Sequence, residues 1–289
     1  MMRGMFAAIS GLKNHQVMLD VTANDIANVN TIGYKSARTT FKDSLTQLQR
    51  GASGTSGANG GTNAAQVGLG VGLGSIDNLM SGGALQSTGN ALDVAIQGEG
   101  FFRVASLTPA TPAPAYPAVA AVPAGTAAQY TRAGNFTTNT DGYLLTQEGF
   151  YVLGSSGPAP AGTPQLLRVE PGATNVAIGQ DGSVTYVPSG GGARRTAGYL
   201  ALATFQNPAG LERASGNRWI ASANSGAEQV DTPGNSGKGL TTPGTIEMSN
   251  VDLAASFTNM ITAQRGFQAN SRVISTSDEM LQDLVNLKR

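Results

Sequence analysis

The 289-residue chain contains no cysteine, one histidine, one tryptophan and few charges, and each shortage closes off a class of function. Without thiols there is neither a disulfide framework nor a thiolate metal site. With His15 alone, a histidine-based catalytic triad and a multi-histidine metal site are both excluded. Charged residues make up 12% of the chain, 18 basic against 18 acidic, with no block of like sign. That argues against nucleic acid, because phosphate binding is built on clustered Lys and Arg. No apolar run approaches the ~18 residues that would cross a bilayer. The start, MMRGMFAAISGLK, imitates a signal peptide only faintly, since Lys13, Asn14 and His15 break its apolar run.

Enzyme signatures are equally scarce. VGLGVGLGS places glycines alternately within a strand-like run, without the strand-to-helix turn of a dinucleotide site, and GNSGKGL lacks the Ser or Thr after Lys238 that a phosphate loop needs. No G-x-S-x-G occurs. No catalytic, cofactor-binding or metal-binding residue is therefore assigned. What remains is 40% hydrophobic residues, enough for a core, and a surface left largely to Gly, Ser, Thr, Asn and Ala. Such a surface is readily buried against further copies of itself without desolvating charge.

The pattern along the chain is helix, irregular segment, long β region, helix. Near the N-terminus Met2, Met5, Ile9, Leu12, Gln16, Leu19, Ala23 and Ile26 alternate spacings of three and four, a heptad seam with one polar slip. Leu253, Phe257, Met260, Gln264, Phe267, Ser271, Ile274, Asp278, Leu281 and Val285 keep the same rhythm at the other end. Ser249 followed by Asp252 resembles a capping box, so the second helix is expected to begin near Asn250. At the rise of an α-helix the two span roughly 40 and roughly 55 Å. Two matched stripes at opposite termini most simply pair with each other, and seams this imperfect predict termini that are frayed until assembly orders them. The first helix ends in ANDIANVNTIGYK, where Asn24 and Asn28 lie one turn apart with amides free to bond backbone or a neighbouring helix, and Asn30 with Gly33 supplies a left-handed exit.

Between the helices, residues 51–66 have the composition of a flexible linker. LDVAIQGEGFFRV alternates as Leu92, Val94, Ile96, turns at Gly98 to Gly100, and resumes with Phe102 and Val104. Asp141-Gly142 and Asp181-Gly182 each stand between strand-like runs as hairpin turns, and GYLALATFQNPAGL reads as one strand ending in a Pro-Gly turn. Residues 105–125 hold five of the 13 prolines and form an extended loop. The fold class expected is α+β: long N- and C-terminal helices paired as a coiled coil (1–35 and 249–289), an extended connector (36–75), and one central antiparallel all-β domain (76–248).

LDVTANDIANVNTIGYKSARTTF, LDVAIQGEGFFRV, YTRAGNFTTNTDGYLLTQEGFYVLG and the stretch from EMSNVDLAASF to the C-terminus resemble, in that order, the flagellar hook and rod proteins of bacteria. The C-terminal stretch and GGTNAAQVGLGVGLGSID look most like the short hook proteins of Gram-positive bacteria, which implies a hook subunit that polymerises into a curved helical tube acting as a universal joint between rod and filament. Distal rod proteins, which form a rigid drive shaft, are the alternative, and the segment between Phe41 and Gly68 is the place to look for the difference. A secreted β-rich enzyme or adhesin is a third reading, and it leaves the matched heptads unexplained. The resemblance implies an axial subunit exported unfolded by the flagellar type III apparatus into the hook and basal body outside the cell, with no cofactor, nucleic acid or membrane insertion. Its partners would be further copies, distal rod and hook–filament junction proteins, and the hook cap during assembly. The residues expected to carry assembly are Met5, Ile9, Leu12, Leu19, Asn24, Ile26, Asn28, Asn30, Gly33, Leu253, Phe257, Met260, Gln264, Phe267, Ile274, Leu281 and Val285.

Overall fold

A computed structural model describes residues 2–54, 60–107, 122, 126–157 and 164–287. Most of the proline-rich stretch and the middle of the 51–66 tract lie outside the described residues. The chain forms two compact units, a helical one from residues 1–28, 36–79 and 251–289, and a β unit from 29–35 and 80–250.

In the helical unit, α1 spans Met2–Ala27 and α2 spans Leu253–Asn286. Helix α2 starts later than Asn250 because Asp252 is itself the cap: its carboxylate accepts the backbone N–H of Ala254 and Ala255, satisfying two donors of the first turn. At the end of α1 the Asn24 carbonyl accepts both the Asn28 backbone N–H at 3.2 Å and the Asn28 side-chain amide at 2.9 Å. The segment expected as a connector carries four strands, β1 (Ala37–Asp43), β2 (Thr46–Arg50), β3 (Ala65–Gly68) and β4 (Val71–Asn78). β1 pairs antiparallel with β4, with a register shift at Thr40/Phe41, and β2 pairs with β3.

The β unit is an antiparallel sheet of thirteen described strands with smaller pairs beside it. Its centre is Phe101–Ala105, buried on both faces, flanked by Tyr151–Ser155 and Gln129–Thr131. Both Asp-Gly hairpins form: Phe136–Thr138 pairs Leu144–Thr146, and Thr174–Ile178 pairs Ser183–Val187, with Gly142 and Gly182 at φ of 84° and 77°. GYLALATFQNPAGL is two strands rather than one, Arg195–Leu200 and Leu202–Thr204. The first pairs Tyr151–Ser155 and the second Phe101–Ala105, so the chain changes partner at Ala201. Val94–Gln97 does not pair with Phe101–Ala105 across the glycine turn, but with Leu240–Pro243.

The two units differ sharply in core. In the β unit Val94, Phe102, Val104, Val184, Tyr186, Leu200, Leu202 and Trp219 are fully enclosed, and each large apolar side chain so buried contributes about 1.5–3 kcal/mol. In the helical unit the fully buried apolar residues among those described are Ala8 and Ala263. A single methyl group at each position stabilises little, so this unit has a weak hydrophobic core of its own.

At one end of the β unit, Glu247 is buried with two cations. Lys35 Nζ lies 2.5 Å from Oε1 and Arg132 Nη1 3.3 Å from Oε2. Burial drives the Lys35 pKa down, and the attraction of Glu247 offsets only part of that; Arg132 is lowered by burial in the same way. Replacing Glu247 with Leu strands both cations and is expected to cost about 3–5 kcal/mol. Lys35→Met leaves the Arg132–Glu247 pair standing and costs less. Urea unfolding of the full chain, followed by Trp219 fluorescence, checks the order, and equal losses would contradict it.

Candidate assembly surface

The helices α1 and α2 approach each other where glycine removes the side chain. A Cβ on Gly11 would sit 2.7 Å from the Asn270 amide, and one on Gly266 would sit 2.5 Å from the His15 ring. The two pairs, 11 with 270 and 15 with 266, set the helices antiparallel.

That approach selects rows of side chains in the heptad. One row of each predicted seam lies half-buried: Met5, Leu12, Leu19 and Ile26 on α1, and Met260, Phe267, Ile274 and Leu281 on α2. The second row is exposed: Ile9, Gln16 and Ala23 on α1, and Leu253, Phe257, Gln264, Ser271, Asp278 and Val285 on α2. The residues tucked away instead stand one position earlier, at Ala8, His15 and Thr22, and at Ser256, Ala263, Asn270 and Ser277. They are mostly small or polar, and only small groups fit where helix axes come close. Periodicity weighted by apolar size finds both rows of the seam, and nothing in it marks Gly11, Gly266, Ala8 or Ala263. The bulky members of the second row, Ile9, Leu253, Phe257 and Val285, stay in water together with Phe6, 63% exposed, and Ile261, 57% exposed.

The other side of α1 is fixed by polar bonds to β1 and β4. Asn14 donates to the Val71 carbonyl at 2.7 Å, the Ser10 hydroxyl accepts the Val71 N–H at 3.2 Å, and both Asp25 carboxylate oxygens accept the Ala37 N–H at 3.2 Å. The His15 ring meets Phe41 edge-on. Beyond this, every residue of β2 is exposed, with Leu48 at 57% and Leu45, just before the strand, at 74%. A two-stranded ribbon with bare leucines is marginal in water, and such patches mark surfaces that other proteins cover.

Of the residues at the end of α1, Asn24 is exposed and bonded by Asn28, and Asn30 is exposed. Gly33 is buried at φ +66°, where a Cβ would lie 2.7 Å from the Ala133 backbone nitrogen. Asn30 borders an open cleft of about 280 Å³ in the β unit with Asn135, Gln147, Asn217 and Arg218. Among the described residues no group of three His, Cys, Asp or Glu is placed to hold a metal ion. Tyr130, buried and donating to Glu228 at 2.7 Å, has its pKa raised by burial and by that carboxylate, which keeps the phenol protonated as a structural donor.

What this geometry offers is exposed apolar surface of the kind that other proteins cover. Residues 5–35 fit the family described as flagella basal body rod protein, 119–186 the flagellar hook protein FlgE/F/G D1 domain, and 242–287 the flagellar basal body rod FlgEFG protein C-terminal family. The chain is 44% identical over 290 residues, covering all of both chains, to the flagellar basal-body rod protein FlgG of Bacillus subtilis. It belongs to the flagellar hook and rod family of axial proteins. The FlgG of Caulobacter vibrioides is 35% identical over 289 residues, covering 99% of this chain and all of its own. The flagellar hook protein FlgE of Borreliella burgdorferi is 28% identical over 441 aligned positions, with both chains fully covered. These relatives are structural proteins and not enzymes, so this chain is a structural component of the flagellum that polymerises and joins other rod and hook components. Bulky apolar side chains on weakly buried helices are what such a subunit needs.

If the glycines set the helix approach, Gly266→Leu pushes α2 off α1 at an overpacking cost of about 1–3 kcal/mol, more than its gain in helix propensity. Gly4→Leu, where a Cβ meets nothing within 4 Å, gains helicity instead. Hydrogen exchange of the two helices reads both signs, with Phe101–Ala105 as the unaffected reference, and equal behaviour of the two variants would refute the close approach.

Proposed function

We propose that the chain is a distal rod subunit: copies polymerise into a straight, rigid helical shaft, with α1 and α2 of each copy paired as a coiled coil along the axis. The observation that carries this reading is length. The rod relatives align end to end within 289–290 positions, whereas the hook relative requires 441 positions to accommodate a chain of 289 residues and is less identical. The expectation of a hook subunit rested on the C-terminal stretch and on GGTNAAQVGLGVGLGSID, and the first of these falls in a family model common to FlgE, FlgF and FlgG.

The exposed bulky row supports polymerisation. In a helical array one patch meets a different patch on the next copy, so the assembly grows open-ended and no exposed helix face is left over except at the tips. The β2–β3 ribbon, exposed at every described position but Ala65 and lying within the segment between Phe41 and Gly68, is a second surface for the same use. Export through the flagellar type III apparatus and a place outside the cytoplasm follow from this reading. So do contacts with hook and neighbouring rod proteins.

Electron microscopy of a strain lacking the chain tests the assignment. Rods that stop short and carry no hook are expected. Full-length rods without hooks would return the chain to the hook, and intact flagella would remove it from the axial structure.

A further inference from the structure

The residues Val29–Lys35 leave the helical unit, join the β unit as a strap, and return to the helical unit at Ser36. Seven residues could hang loosely, but residues 32–35 are each fastened to the rest of the β unit. Asn217 donates its side-chain amide to the Ile32 carbonyl at 2.6 Å, the Gly33 N–H donates to the Glu247 carbonyl at 2.8 Å, and Arg213 donates to the Lys35 carbonyl at 2.6 Å. The Arg213 guanidinium lies over both the Tyr34 and Trp219 rings, at 4.8 and 5.1 Å. Lys35 buries its ammonium between Glu247 and the Ser81 carbonyl.

The chain passes between the two units at 28/29, 35/36, 79/80 and 250/251. Inside the β unit the last three passages are tied together. Lys35 donates to Ser81, Asn250 donates its side-chain amide to the same Ser81 carbonyl at 3.2 Å and its backbone N–H to Tyr34 at 3.4 Å, and Glu247 accepts from both Lys35 and the Gly83 N–H. A core that needed only to be filled would use apolar residues here, since a buried ion pair adds little net stability. What buried, charge-assisted bonds supply is direction and a high cost for breaking any one of them, because the partner left behind is an unpaired charge out of water.

We propose that the strap is a tension clasp: force running along the chain from α1 is held at Glu247, which fixes the passages at Lys35, Ser81 and Asn250 as one body. The proposal rests on the rod reading, in which every subunit carries torque. It assigns Gly33 the job of letting the strap run against the Arg132–Ala133 backbone, and Lys35 that of the clasp's pin.

Hydrogen exchange of the full-length chain tests the clasp independently of assembly. Lys35→Met is expected to speed exchange of the 29–35 amides ~10-fold or more and by a larger factor than Phe101–Ala105, because the strap then opens as a local unit. Glu247→Gln, which keeps the shape of the carboxyl group, is expected to do the same. Unchanged strap exchange, or equal acceleration in Phe101–Ala105, would overturn the proposal. In cells, a Lys35→Met strain driven in viscous medium should shed several-fold more flagella than one carrying Val184→Ala, a cavity in the sheet core away from the strap. Equal shedding counts against the clasp. A deletion strain with full-length rods would sink the rod reading alone and leave the exchange result standing.

Discussion

The constraint on which the helical unit depends is its shortage of buried apolar volume. Two long helices meet at Gly11 and Gly266, and the fully buried apolar side chains they share among the described residues are alanines. Ordering a helix costs each residue about 1–2 kcal/mol of backbone entropy, and tertiary packing normally offsets it. Here the bulky side chains that would do so, Phe6, Ile9, Phe257 and Ile261 among them, are exposed in the single chain. In the rod reading such a unit gains its missing packing from neighbours. In the rod reading assembly and folding of the helices are then one event, which keeps a subunit from polymerising before it reaches the growing end.

The β unit answers to a different rule. Its sheet is closed by large side chains in contact, so it is stable within one chain, and its polar interior is concentrated at Glu247, where Lys35 and Arg132 converge. One unit has a full core and the other does not, and in the rod reading the packing of the helices is completed by other copies.

How much of this the sequence discloses follows from the range of each interaction. The antiparallel β region and the Asp-Gly turns at 141–142 and 181–182 are local signals, and they appear where the residues indicate. Both long helices are legible from their heptads, whereas the capping-box pattern points to Ser249 and the cap is Asp252. The choice of inward row is not legible, because Ala8 and Ala263 score below Ile9 and Phe257 on any hydrophobicity scale, and only the partner helix decides between them. The β1–β4 pair joins segments that look like parts of a linker. The Lys35–Glu247 bond joins residues 212 positions apart, neither of which is remarkable in its own window. Hook and rod members share the stretches that identify the family, so the distinction between them had to come from whole-chain comparison.

The central claim is that the bulky row of the helices is covered by other copies of the chain in the shaft. Because the chain has no cysteine, a single Phe257→Cys substitution gives one thiol to follow. Maleimide labelling of that thiol in the purified monomer and in isolated hook–basal bodies measures the claim directly. Rapid modification of the monomer and protection by ten-fold or more in the assembled rod is the expected result. Equal reactivity in the two states would mean that the exposed row is not an assembly surface.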